Sequence, residues 1–542
     1  MRVLSSAEMQ SCDRVTNERF GIPTLDLMHS AASAVATFAR EQYPRARNIT
    51  VLCGRGNNGG DGMMTARLLA SAGLDVTTIL LGSPDSLSGD AAIAWQQLED
   101  SPLGRIQIVD SAEDLTPLSA SQAADLIIDA VLGTGFKPPL QGLALAALEW
   151  VRQSRAPVLA IDLPSGWPAD ETSPIVDTPV FPADAVITFT APKPAHVFGQ
   201  LTRRWDQPIV VAPIGSPEAA ILSNLALHWA GTSHTLTESP RPVSSHKGDF
   251  GHVLVVGGST GKSGAPAMAS LAALRVGAGL VTAAVPAPIL VQVSAVAPEL
   301  MTHPLLASPF GHIAAENLAP HRMADLLQGI TVLAIGPGLG QSPGSADFLA
   351  GLLAATNIPA VVDADALNIL ASQPDLLHRI AKDRTLVLTP HPGEMARLVG
   401  TTTADVQSNR LPLARSFAQR TGVTLVLKGA RTLIAHPDGR VAVNTSGNPG
   451  MAKGGSGDVL AGIVAGFLAQ FPRKQAHAVE AAVYFHGLAA DLAVRSDDEH
   501  TLLASDSFQY FSRAFRFRSR GQNGYVWLQG ASQAAAPGEA EQ

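Results

Sequence analysis

The sequence is poor in cysteine, in aromatic residues and in charge. Only Cys12 and Cys53 occur among the 542 residues, aromatic residues make up 5% of the chain, and charged residues make up 15%. Two cysteines are too few for a disulfide scaffold or a cysteine-based metal cluster, which favours a reducing, cytoplasmic location. The N-terminal segment MRVLSSAEMQSCDRVT also lacks the apolar core of a secretory signal peptide.

The charge balance and the apolar runs exclude two further classes of partner. The formal net charge of −8 gives no general basic field, so we expect neither nucleic acid nor an anionic membrane as a partner. Nucleotide-sized ligands remain possible, because helix N-termini and a few local bases are enough to bind them. One uncharged run, residues 276–297, is long enough to span a bilayer, but two prolines and two glycines interrupt it. It therefore predicts a strand, a turn and a helix.

The remaining composition is typical of an α/β protein with several domains. Hydrophobic residues make up 46% of the chain, with 49 glycines and 38 prolines. Apolar β-branched runs alternate with Ala/Leu-rich helical patterns twice, from about residue 48 to 225 and from about 251 to 500. This alternation predicts two three-layer αβα domains with parallel sheets. We expect domains at 1–225 and 246–515, a linker at 226–245 that leads into the Ser/Pro-rich stretch LTESPRPVSSHKGDFGH, and a largely disordered tail at 516–542.

The stretch GRGNNGGDG, residues 54–62, lies between an apolar strand pattern and a helical pattern. A glycine-rich turn in this position presents backbone N–H groups at the positive end of a helix dipole, where phosphate or ribose can bind. Asn57, Asn58 and Asp61 add amide and carboxylate oxygens that can bind a hard cation or ribose hydroxyls. The alternative is a tight turn in which Asn and Asp only supply left-handed conformations and a helix cap.

Polar side chains also follow two later strands of the first half. Asp129 ends one apolar strand pattern and is followed by the loop 133–139, which contains Lys137, while Asp162 and Ser165 follow another. Each aspartate alone could be a turn former or a helix cap. In an open parallel sheet, however, the carboxyl ends of the strands border the ligand crevice, so these side chains can converge on one site.

The motifs NNGGDG, DAVLGTG and DLPSG, in this order, resemble those of the NAD(P)H-hydrate epimerase family over residues 1 to about 225. The resemblance implies a Rossmann-like domain that binds NADHX or NADPHX, the hydrated forms of the reduced nucleotides. It also implies a potassium ion held by Asn58, Asp129 and Ser165. The residues implied to bind the damaged nucleotide are Asn57, Asn58, Gly59, Gly60, Asp61, Gly133, Thr134, Gly135, Phe136, Lys137, Pro138, Pro139 and Asp162.

The chemistry expected of this first site is modest. The substrate carries water at C6 of its nicotinamide ring, and inversion of that carbon requires only proton transfers to and from the hydroxyl and the ring nitrogen. A carboxylate at hydrogen-bond distance can perform them. Asp162 is our candidate for the catalytic group, with Lys137 as a possible electrostatic partner.

The second half begins with HVLVVGGSTGKSG, which superficially matches a Walker A loop. Only three residues separate Gly257 from Gly261, whereas a Walker A loop requires four, so a P-loop enzyme is excluded. What remains is a strand, a Gly/Ser turn and a helix of small residues, in which Ala265 would allow a planar ring to approach the backbone.

The stretch GGSGD, residues 454–458, precedes an apolar helical pattern. The free N–H groups of Gly455, Ser456 and Gly457 at a helix N-terminus can stabilise charge on a transferring phosphoryl group. Asp458 in the first turn is then a candidate base for a substrate hydroxyl. The alternative is a simple carboxylate that complements the helix dipole.

Together with LAIGPGLG, VVDADALN, LVLTPHPGEM and LVLKGARTLIA, this motif resembles the ribokinase-like superfamily, and within it the ADP-dependent NAD(P)H-hydrate dehydratases, over residues 245 to about 505. Without the resemblance, His391 could be a solvated turn histidine and Lys428 an ordinary hairpin charge. The resemblance implies that Ala265, Gly338, His391 and Asp458 contact the hydrated dinucleotide, and that Lys428, Gly429, Ala430, Arg431, Thr432 and Gly457 bind ADP.

The mechanism implied for the second half solves the problem that hydroxide is a poor leaving group. Asp458 would deprotonate the C6 hydroxyl, which would attack the terminal phosphoryl group of ADP, with Mg²⁺ neutralising charge. Phosphate would then leave, and the products would be NAD(P)H, AMP and phosphate. The carboxylates of VVDADALN are candidates to organise the metal, but their roles are not assigned.

Two alternative functions follow from the same motifs. GGSGD is common to the whole ribokinase-like superfamily, so a vitamin-precursor or sugar kinase with a regulatory first domain is possible. The first half could also be an interaction scaffold, although three polar strand ends in one crevice favour an enzyme. We expect the protein to act on NADHX, NADPHX and ADP as a homo-oligomer, to require K⁺ and Mg²⁺, and to have no nucleic acid or membrane partner.

Overall fold

The computed structural model of the protein describes residues 1–115, 124–521 and 523–530. The chain forms two compact units. The first contains Met1–Leu227 and the chain from Arg518 onward, and the second contains His228–Phe517. The first unit therefore ends close to the predicted residue 225, but the chain also returns to it after the second unit.

The first unit is built around an eight-stranded sheet with the order β18-β7-β6-β5-β4-β1-β2-β3. Its strands are β1 (Asn48–Cys53), β2 (Asp75–Leu81), β3 (Arg105–Val109), β4 (Leu126–Ala130), β5 (Val158–Ile161), β6 (Ala185–Phe189), β7 (Ile209–Ala212) and β18 (Val526–Gln529). Its helices are α1 (Ser6–Phe20), α2 (Thr24–Gln42), α3 (Asn57–Ser71), α4 (Gly89–Glu99), α5 (Gly142–Arg152) and α6 (Pro194–Phe198).

Alternating side chains of the first sheet enter two separate cores. Val51 and Cys53 of β1 pack with α2, α3 and α4, whereas Leu52 packs on the opposite face with α5. This alternation is the two-residue period of a strand, and it produces the predicted αβα layers. The strand order reverses at β1, which lies between β2 and β4. A crevice is therefore expected where β1 and β4 end, and this is the position of the glycine-rich loops.

The last strand contradicts the expected disordered tail at 516–542. Strand β18 pairs antiparallel with β7, with Trp527 opposite Val210. Tyr525 and Trp527 are buried against Phe38, and the Tyr525 hydroxyl donates a hydrogen bond to the Ala34 carbonyl at 3.0 Å. The segment GYVWLQ is too short for a pattern to identify, and its strand is stabilised by pairing with a distant segment. The remainder of the predicted tail, residues 531–542, lies outside the described residues.

The second unit is built around a ten-stranded sheet with the order β11-β10-β9-β12-β13-β14-β15-β16-β17-β8. Its strands are β8 (Leu227–Trp229), β9 (His252–Val256), β10 (Leu280–Pro286), β11 (Met301–Leu305), β12 (Val332–Ile335), β13 (Ala360–Val362), β14 (Leu386–Leu388), β15 (Thr424–Leu427), β16 (Leu433–Ala435) and β17 (Val441–Val443). Its helices are α7 (Gly264–Arg275), α8 (Leu290–Ser294), α9 (Pro320–Leu326), α10 (Pro343–Ala354), α11 (Asp365–Ala371), α12 (Pro374–Ala381), α13 (Pro392–Val399), α14 (Thr403–Ser408), α15 (Arg410–Thr421), α16 (Ser456–Gln470), α17 (Gln475–Ala493) and α18 (Phe511–Arg516).

Strands β9 to β15 of this sheet are parallel, and β15, β16 and β17 add antiparallel pairs. The uncharged run 276–297 forms β10, a turn and α8, as predicted. No helix within the described residues is both long and apolar enough to cross a bilayer.

The expected linker at 226–245 is wrong for its first half. Residues Leu227–Trp229 form β8, and Ala230–Thr237 form a 3-10 helix. Trp229 is buried, and its indole N–H donates to the Thr445 hydroxyl at 2.8 Å. Residues from His228 onward therefore belong to the second unit rather than to a linker, because a buried tryptophan with a satisfied N–H belongs to a core.

Small residues bring helices α7 and α16 into close contact beneath the second site. A Cβ atom on Gly462 would lie 2.0 Å from the carbonyl oxygen of Ala269, so only glycine permits this approach. The contact fixes α16, and it thereby positions the GSGD segment from which α16 begins.

Candidate active sites

The first site is a cavity of about 580 Å³ next to the ends of β1, β4 and β5. It brings together most of the sequence-predicted residues of the first half. Gly59 and Gly60 are buried, and Lys137, Pro138 and Pro139 are exposed outside the lining. The predicted residues that line the cavity are Asn57, Asn58, Asp61, Gly133, Thr134, Gly135, Phe136 and Asp162.

The glycines of GRGNNGGDG serve packing as well as ligand access. A Cβ atom on Gly54 would lie 2.0 Å from the Val131 carbonyl oxygen, and one on Gly59 would lie 1.9 Å from the Gly54 carbonyl oxygen. Glycine at these two positions therefore allows the turn to lie directly against the loop after β4. Helix α3 starts at Asn57 without a side-chain cap, so its first N–H groups are available to a ligand.

Asp129 and Ser165 form a buried pair beneath the cavity. The Asp129 carboxylate accepts hydrogen bonds from the Ser165 hydroxyl at 2.6 Å and from the Ser165 N–H at 2.8 Å. Burial raises the pKa of Asp129 to about 6, although these hydrogen bonds act in the opposite direction. The Ser165 hydroxyl also accepts from the N–H of Leu132, which ties the pair to the glycine-rich loop.

The predicted potassium ligands fit a monovalent cation in their donor chemistry. The Asn58 amide packs against Gly133, and its Nδ2 is buried without a hydrogen-bond partner. Amide nitrogen and oxygen can exchange positions, so the same buried place can present an oxygen to a cation. Among the described residues no group of three His, Cys, Asp or Glu side chains is arranged for a metal. The predicted donor set of one amide, one hydroxyl and one carboxylate carries at most one negative charge, which is compatible with a monovalent cation such as K⁺.

Asp162 has a left-handed backbone conformation, with φ of 65°, which is unusual for a residue other than glycine. Two hydrogen bonds hold it there. Its N–H donates to the Ile187 carbonyl at 2.8 Å, and His196 Nε2 donates to the Asp162 carbonyl at 2.7 Å. His196 is fully buried, and its Nδ1 accepts from the N–H of Lys193, which fixes this tautomer. Backbone strain of this kind is typical of functional sites.

The Asp162 carboxylate is paired with Lys193, which the sequence analysis missed. Lys193 Nζ lies 2.7 Å from Asp162 Oδ1, and both side chains are buried. The Thr188 hydroxyl also donates to Oδ1, and the Thr134 N–H donates to Oδ2. Burial opposes the charge, but Lys193 and His196 together hold the pKa of Asp162 below its usual value. The proposed partner Lys137 is exposed, so this part of the prediction was wrong, because the spacing along the chain does not show which lysine folds inward.

Two further carboxyl groups line the same cavity. Asp61 belongs to α3, and Asp13 belongs to α1. Burial raises the pKa of Asp61 well above its usual value, and Asp162 and Asp13 add to the effect. Asp13 gave no sequence signal, because a single acidic residue in an N-terminal helix is normally solvent-exposed.

The second site is a cavity of about 490 Å³ at the start of α7, α13 and α16. It brings together all four residues predicted to contact the hydrated dinucleotide, namely Ala265, Gly338, His391 and Asp458. The other lining residues are Gly261, Lys262, Gly264, Ala364, Asp365, Asn368, Glu394 and Arg397.

Asp458 lies in the first turn of α16, which follows a left-handed Gly455 with φ of 95°. Burial and the Asp363 charge raise the pKa of Asp458, Lys428 partly offsets them, and the pKa is about 6. A carboxylate with a pKa near the working pH is a suitable general base.

Lys428 connects the predicted ADP segment to the carboxylates of this site. Its Nζ lies 2.8 Å from Asp363 Oδ1 and 3.8 Å from Glu394 Oε2. It also lies 3.3 Å from the place where a Cβ atom on Gly457 would be. Burial opposes the Lys428 charge, but Asp363 and Glu394 raise the pKa of Lys428 above its usual value. Asp363 is the first aspartate of VVDADALN, whose role the sequence did not settle.

His391 has both of the roles considered for it. Its Nδ1 accepts a hydrogen bond from the N–H of Gly393 at 3.0 Å, so it caps α13, and the ring also forms part of the cavity wall. Burial and the nearby Lys428 lower the pKa of His391, so the ring is neutral at physiological pH. With Nδ1 accepting, Nε2 carries the proton and can donate to a ligand.

The rest of the predicted ADP segment is the loop between β15 and β16. Gly429 has φ of 133°, and a Cβ atom there would lie 2.6 Å from Arg410 Nη1. The Thr432 hydroxyl donates to the Gly429 carbonyl at 2.9 Å, which closes the loop. The Arg431 guanidinium donates to the Thr445 carbonyl at 3.1 Å, so this side chain is engaged within the fold.

Two family models match the chain, one for each unit. The model described as NAD(P)H-hydrate dehydratase matches residues 253–512, and the model of the YjeF-related protein N-terminus matches residues 24–195. Similar proteins include the bifunctional NAD(P)H-hydrate repair enzyme of Moorella thermoacetica, which is 38% identical and covers 95% of this chain and 97% of its own. The enzyme of the same name from Escherichia coli is 35% identical and covers 92% of this chain and 91% of its own.

One similar solved structure is the ADP/ATP-dependent NAD(P)H-hydrate dehydratase of Bacillus subtilis, co-crystallised with ATP and Mg²⁺. It is 30% identical, covers 53% of this chain and 96% of its own, and has a TM-score of 0.44.

Proposed function

This chain belongs to the bifunctional NAD(P)H-hydrate repair enzymes, and from that premise we propose how its two units divide the repair. The first unit interconverts the R and S epimers of NADHX and NADPHX. The second unit dehydrates the S epimer with ADP and yields NAD(P)H, AMP and phosphate. The relatives that cover almost the whole chain are repair enzymes, so neither the vitamin or sugar kinase nor the scaffold alternative is supported.

The observation that carries the assignment of the second unit is the position of Lys428. It contacts Asp363 at 2.8 Å and lies next to Gly457, beside the carboxyl group of Asp458. Phosphoryl transfer requires a cation, N–H groups and a base close together, and we assign these roles to Lys428, the start of α16 at Gly457 and Asp458. The Ser456 N–H, which was expected to be free, instead donates to the Lys453 carbonyl at 3.4 Å.

In the second unit, Asp458 takes the proton of the C6 hydroxyl while that oxygen bonds to the terminal phosphorus of ADP. The N–H groups at the start of α16 and the Lys428 ammonium stabilise the charge on the transferring group. As this bond forms, the bond between the terminal phosphorus and the AMP oxygen breaks and AMP leaves. Phosphate is a better leaving group than hydroxide, and the ring nitrogen lone pair helps to expel it from C6. Loss of a proton from C5 to water then forms the C5=C6 double bond of NAD(P)H. Mg²⁺ bound with the nucleotide would neutralise phosphate charge, while Asp363 and Glu394 hold the Lys428 ammonium in place.

In the first unit, epimerisation requires that the bond between C6 and oxygen breaks and forms again on the opposite face of the ring. The ring nitrogen lone pair supports the positive charge that develops, and the ionised Asp162 lies in the cavity to stabilise it. Asn58, Asp129 and Ser165 would hold K⁺, which would supply fixed positive charge for the diphosphate. The remaining contacts from 57–61 and 133–136 bind the nucleotide.

A direct test uses the absorbance of reduced nicotinamide. Purified protein is added to a mixture of NADHX epimers with ADP, with ATP or with neither, beside an Asp458→Ala variant and an Asp497→Ala control at an exposed acid of the same unit. We expect complete recovery that depends on added nucleotide, abolished only in the Asp458 variant. Recovery that stops at the S epimer would contradict the role of the first unit. No recovery with either nucleotide would contradict the role of the second.

Preference for ADP over ATP, the K⁺ site, the homo-oligomer and the cytoplasmic location stay predictions. The buried, unpaired Cys12 and Cys53 are compatible with a reducing compartment.

A further inference from the structure

The first cavity contains more carboxyl groups than its buried cation can balance. Asp13, Asp61 and Asp162 all line it, and Lys193 interacts electrostatically with each of them. Of these three carboxyl groups, Lys193 contacts only that of Asp162 directly, at 2.7 Å. Asp162 is therefore the ionised member of the group, and the other two carboxyl groups lie close to its charge.

The surroundings of the Asp13 carboxyl group favour its protonated form. It lies one turn of α1 after Met9, and both side chains face the cavity. Asp13 Oδ1 is buried and has no hydrogen-bond partner among the described residues. By contrast, both the buried Asp129 and the buried Asp162 accept several hydrogen bonds. A buried carboxylate oxygen without a donor is costly, whereas a protonated carboxyl group is tolerated there.

We propose that Asp13 is a second catalytic residue of the first unit, the proton-carrying carboxyl group that works with the ionised Asp162 on the C6 hydroxyl. This role rests on the epimerase function proposed above. None of the three motifs that carry the resemblance to the epimerases contains Asp13, and the matched family segment begins only at residue 24.

The proposed step balances in atoms and electrons. Asp13 donates its proton to the C6 hydroxyl, the bond between C6 and oxygen breaks, and water leaves. The ring nitrogen lone pair forms the N1=C6 double bond, and the cation is stabilised by Asp162. Water then adds to C6 from the opposite face, and the proton it loses returns to the Asp13 carboxylate directly or through a water molecule. The bond forms again with inverted configuration, and neither oxidant nor other co-reactant is needed.

The electrostatics of the cavity agree with this division of roles. Burial raises the pKa of Asp13, Lys193 partly offsets this rise and Asp162 adds to it, so that the pKa is about 6. The pKa of Asp162 is shifted in the opposite direction. Two carboxyl groups whose pKa values are separated in this way can take different roles, here a proton donor and a permanent anion. The groups that face Asp13 are Asp61 from α3, Asp162 after β5, Lys193 before α6 and the neighbouring Cys12 thiol.

The test is Asp13→Asn in the full chain, with Glu18→Gln, an exposed acid of the same helix, as the matched control. Epimer interconversion is followed by chromatography without ADP at several pH values, after subtraction of the rate without protein. We expect Asp13→Asn to reduce it about 100- to 10,000-fold, the usual contribution of general acid catalysis. The wild-type rate should decline above a midpoint near pH 6, and the residual rate of the variant should lack this decline.

A second readout separates catalysis from folding. The folded protein holds the Asp13 proton more tightly than the unfolded chain, so stability falls as pH rises from 3.8 to about 6. Above this range Asp13→Asn should melt at or above the wild-type temperature, and it should dehydrate the S epimer at the wild-type rate. A wild-type epimerisation rate and pH profile in the variant, or a rate loss explained by a lower melting temperature, would overturn the proposal. A wild-type protein without epimerisation above background would instead refute the proposed function itself.

Discussion

Each unit has a largely buried lysine that interacts with an aspartate of its cavity, but the pairing differs. In the first unit Lys193 contacts the candidate catalytic residue Asp162 directly, at 2.7 Å. In the second, Lys428 contacts Asp363 at 2.8 Å, and Asp458 keeps three carboxylate neighbours. The pKa of Asp162 is therefore lowered, while that of Asp458 is raised to about 6. The position of one ammonium group determines whether the aspartate is a permanent anion or a base that exchanges protons.

The difference between the lowered pKa of Asp162 and the raised pKa of Asp458 matches the chemistry that each unit performs. A permanent anion stabilises a transient cation without taking part in proton transfer, which is useful where water leaves and returns. A base must bind and release a proton in every turnover, so its pKa has to lie near the working pH. The same two residue types can therefore serve either purpose, depending on which carboxylate receives the lysine.

The largest effect is expected from Lys193→Met, which breaks the pair of the first unit. It leaves a buried Asp162 charge without its partner, a change that typically costs about 3–5 kcal/mol. We expect the first unit to unfold at lower urea concentration and epimerisation to be lost, while the S epimer is still dehydrated. Arg155→Met, at an exposed arginine of the same unit, should change neither property. Equal stability of the two variants would contradict the importance of the Lys193 contact.

A smaller effect is expected from Asp363→Asn. This change removes the carboxylate that Lys428 contacts, so that the lysine can pair with the candidate catalytic aspartate, as Lys193 does in the first unit. Wild-type dehydration should rise with pH through a midpoint near 6, because Asp458 acts as a base only after it has lost its proton. Without the Asp363 charge, Lys428 can interact more closely with Asp458, and the midpoint should fall by about one pH unit, equivalent to about 1.4 kcal/mol. The midpoint is measured from dehydration rates of the S epimer between pH 4.5 and pH 8, with saturating ADP and Mg²⁺. An unchanged midpoint would show that Asp363 does not raise the pKa of Asp458.

The smallest effect is expected from Thr188→Val, which keeps the shape of the side chain but removes one donor to Asp162 Oδ1. Lys193 and the Thr134 N–H still bind the carboxylate, so a loss of about 1 kcal/mol in unfolding free energy is expected. Urea denaturation followed by fluorescence can measure it. A loss as large as that of Lys193→Met would mean that the hydroxyl, rather than the ammonium, holds Asp162 in its ionised form.

The comparison also explains which parts of the two sites could be predicted from the sequence. Asp129, Asp162 and Asp458 stand directly at the ends of strands or the start of a helix, where the motif itself fixes their place. Lys193 and Asp13 reach the first cavity only through tertiary packing. Nothing in the neighbouring residues distinguishes them from exposed charges, so Lys137 was chosen as the partner of Asp162 instead.

The fold, like the sites, could be predicted where a local sequence pattern determines it, but not where an element depends on tertiary contacts. The αβα layers follow from strand and helix periodicity and were confirmed, because periodicity reports the buried face of each element. Strands β8 and β18 were assigned to a linker and a disordered tail. Three or four residues carry too little periodicity, and both strands exist only because a partner lies at the sheet edge.

Strand β18 also has a consequence for how the protein is made. The ribosome completes the whole second unit before it synthesises the strand that pairs with β7 in the first. During that interval the first sheet has an unpaired edge at β7, and the pocket around Phe38 lacks Tyr525 and Trp527. The second unit is thus an insertion in the first. A gene divided near residue 245 would give an N-terminal fragment that never acquires its last strand.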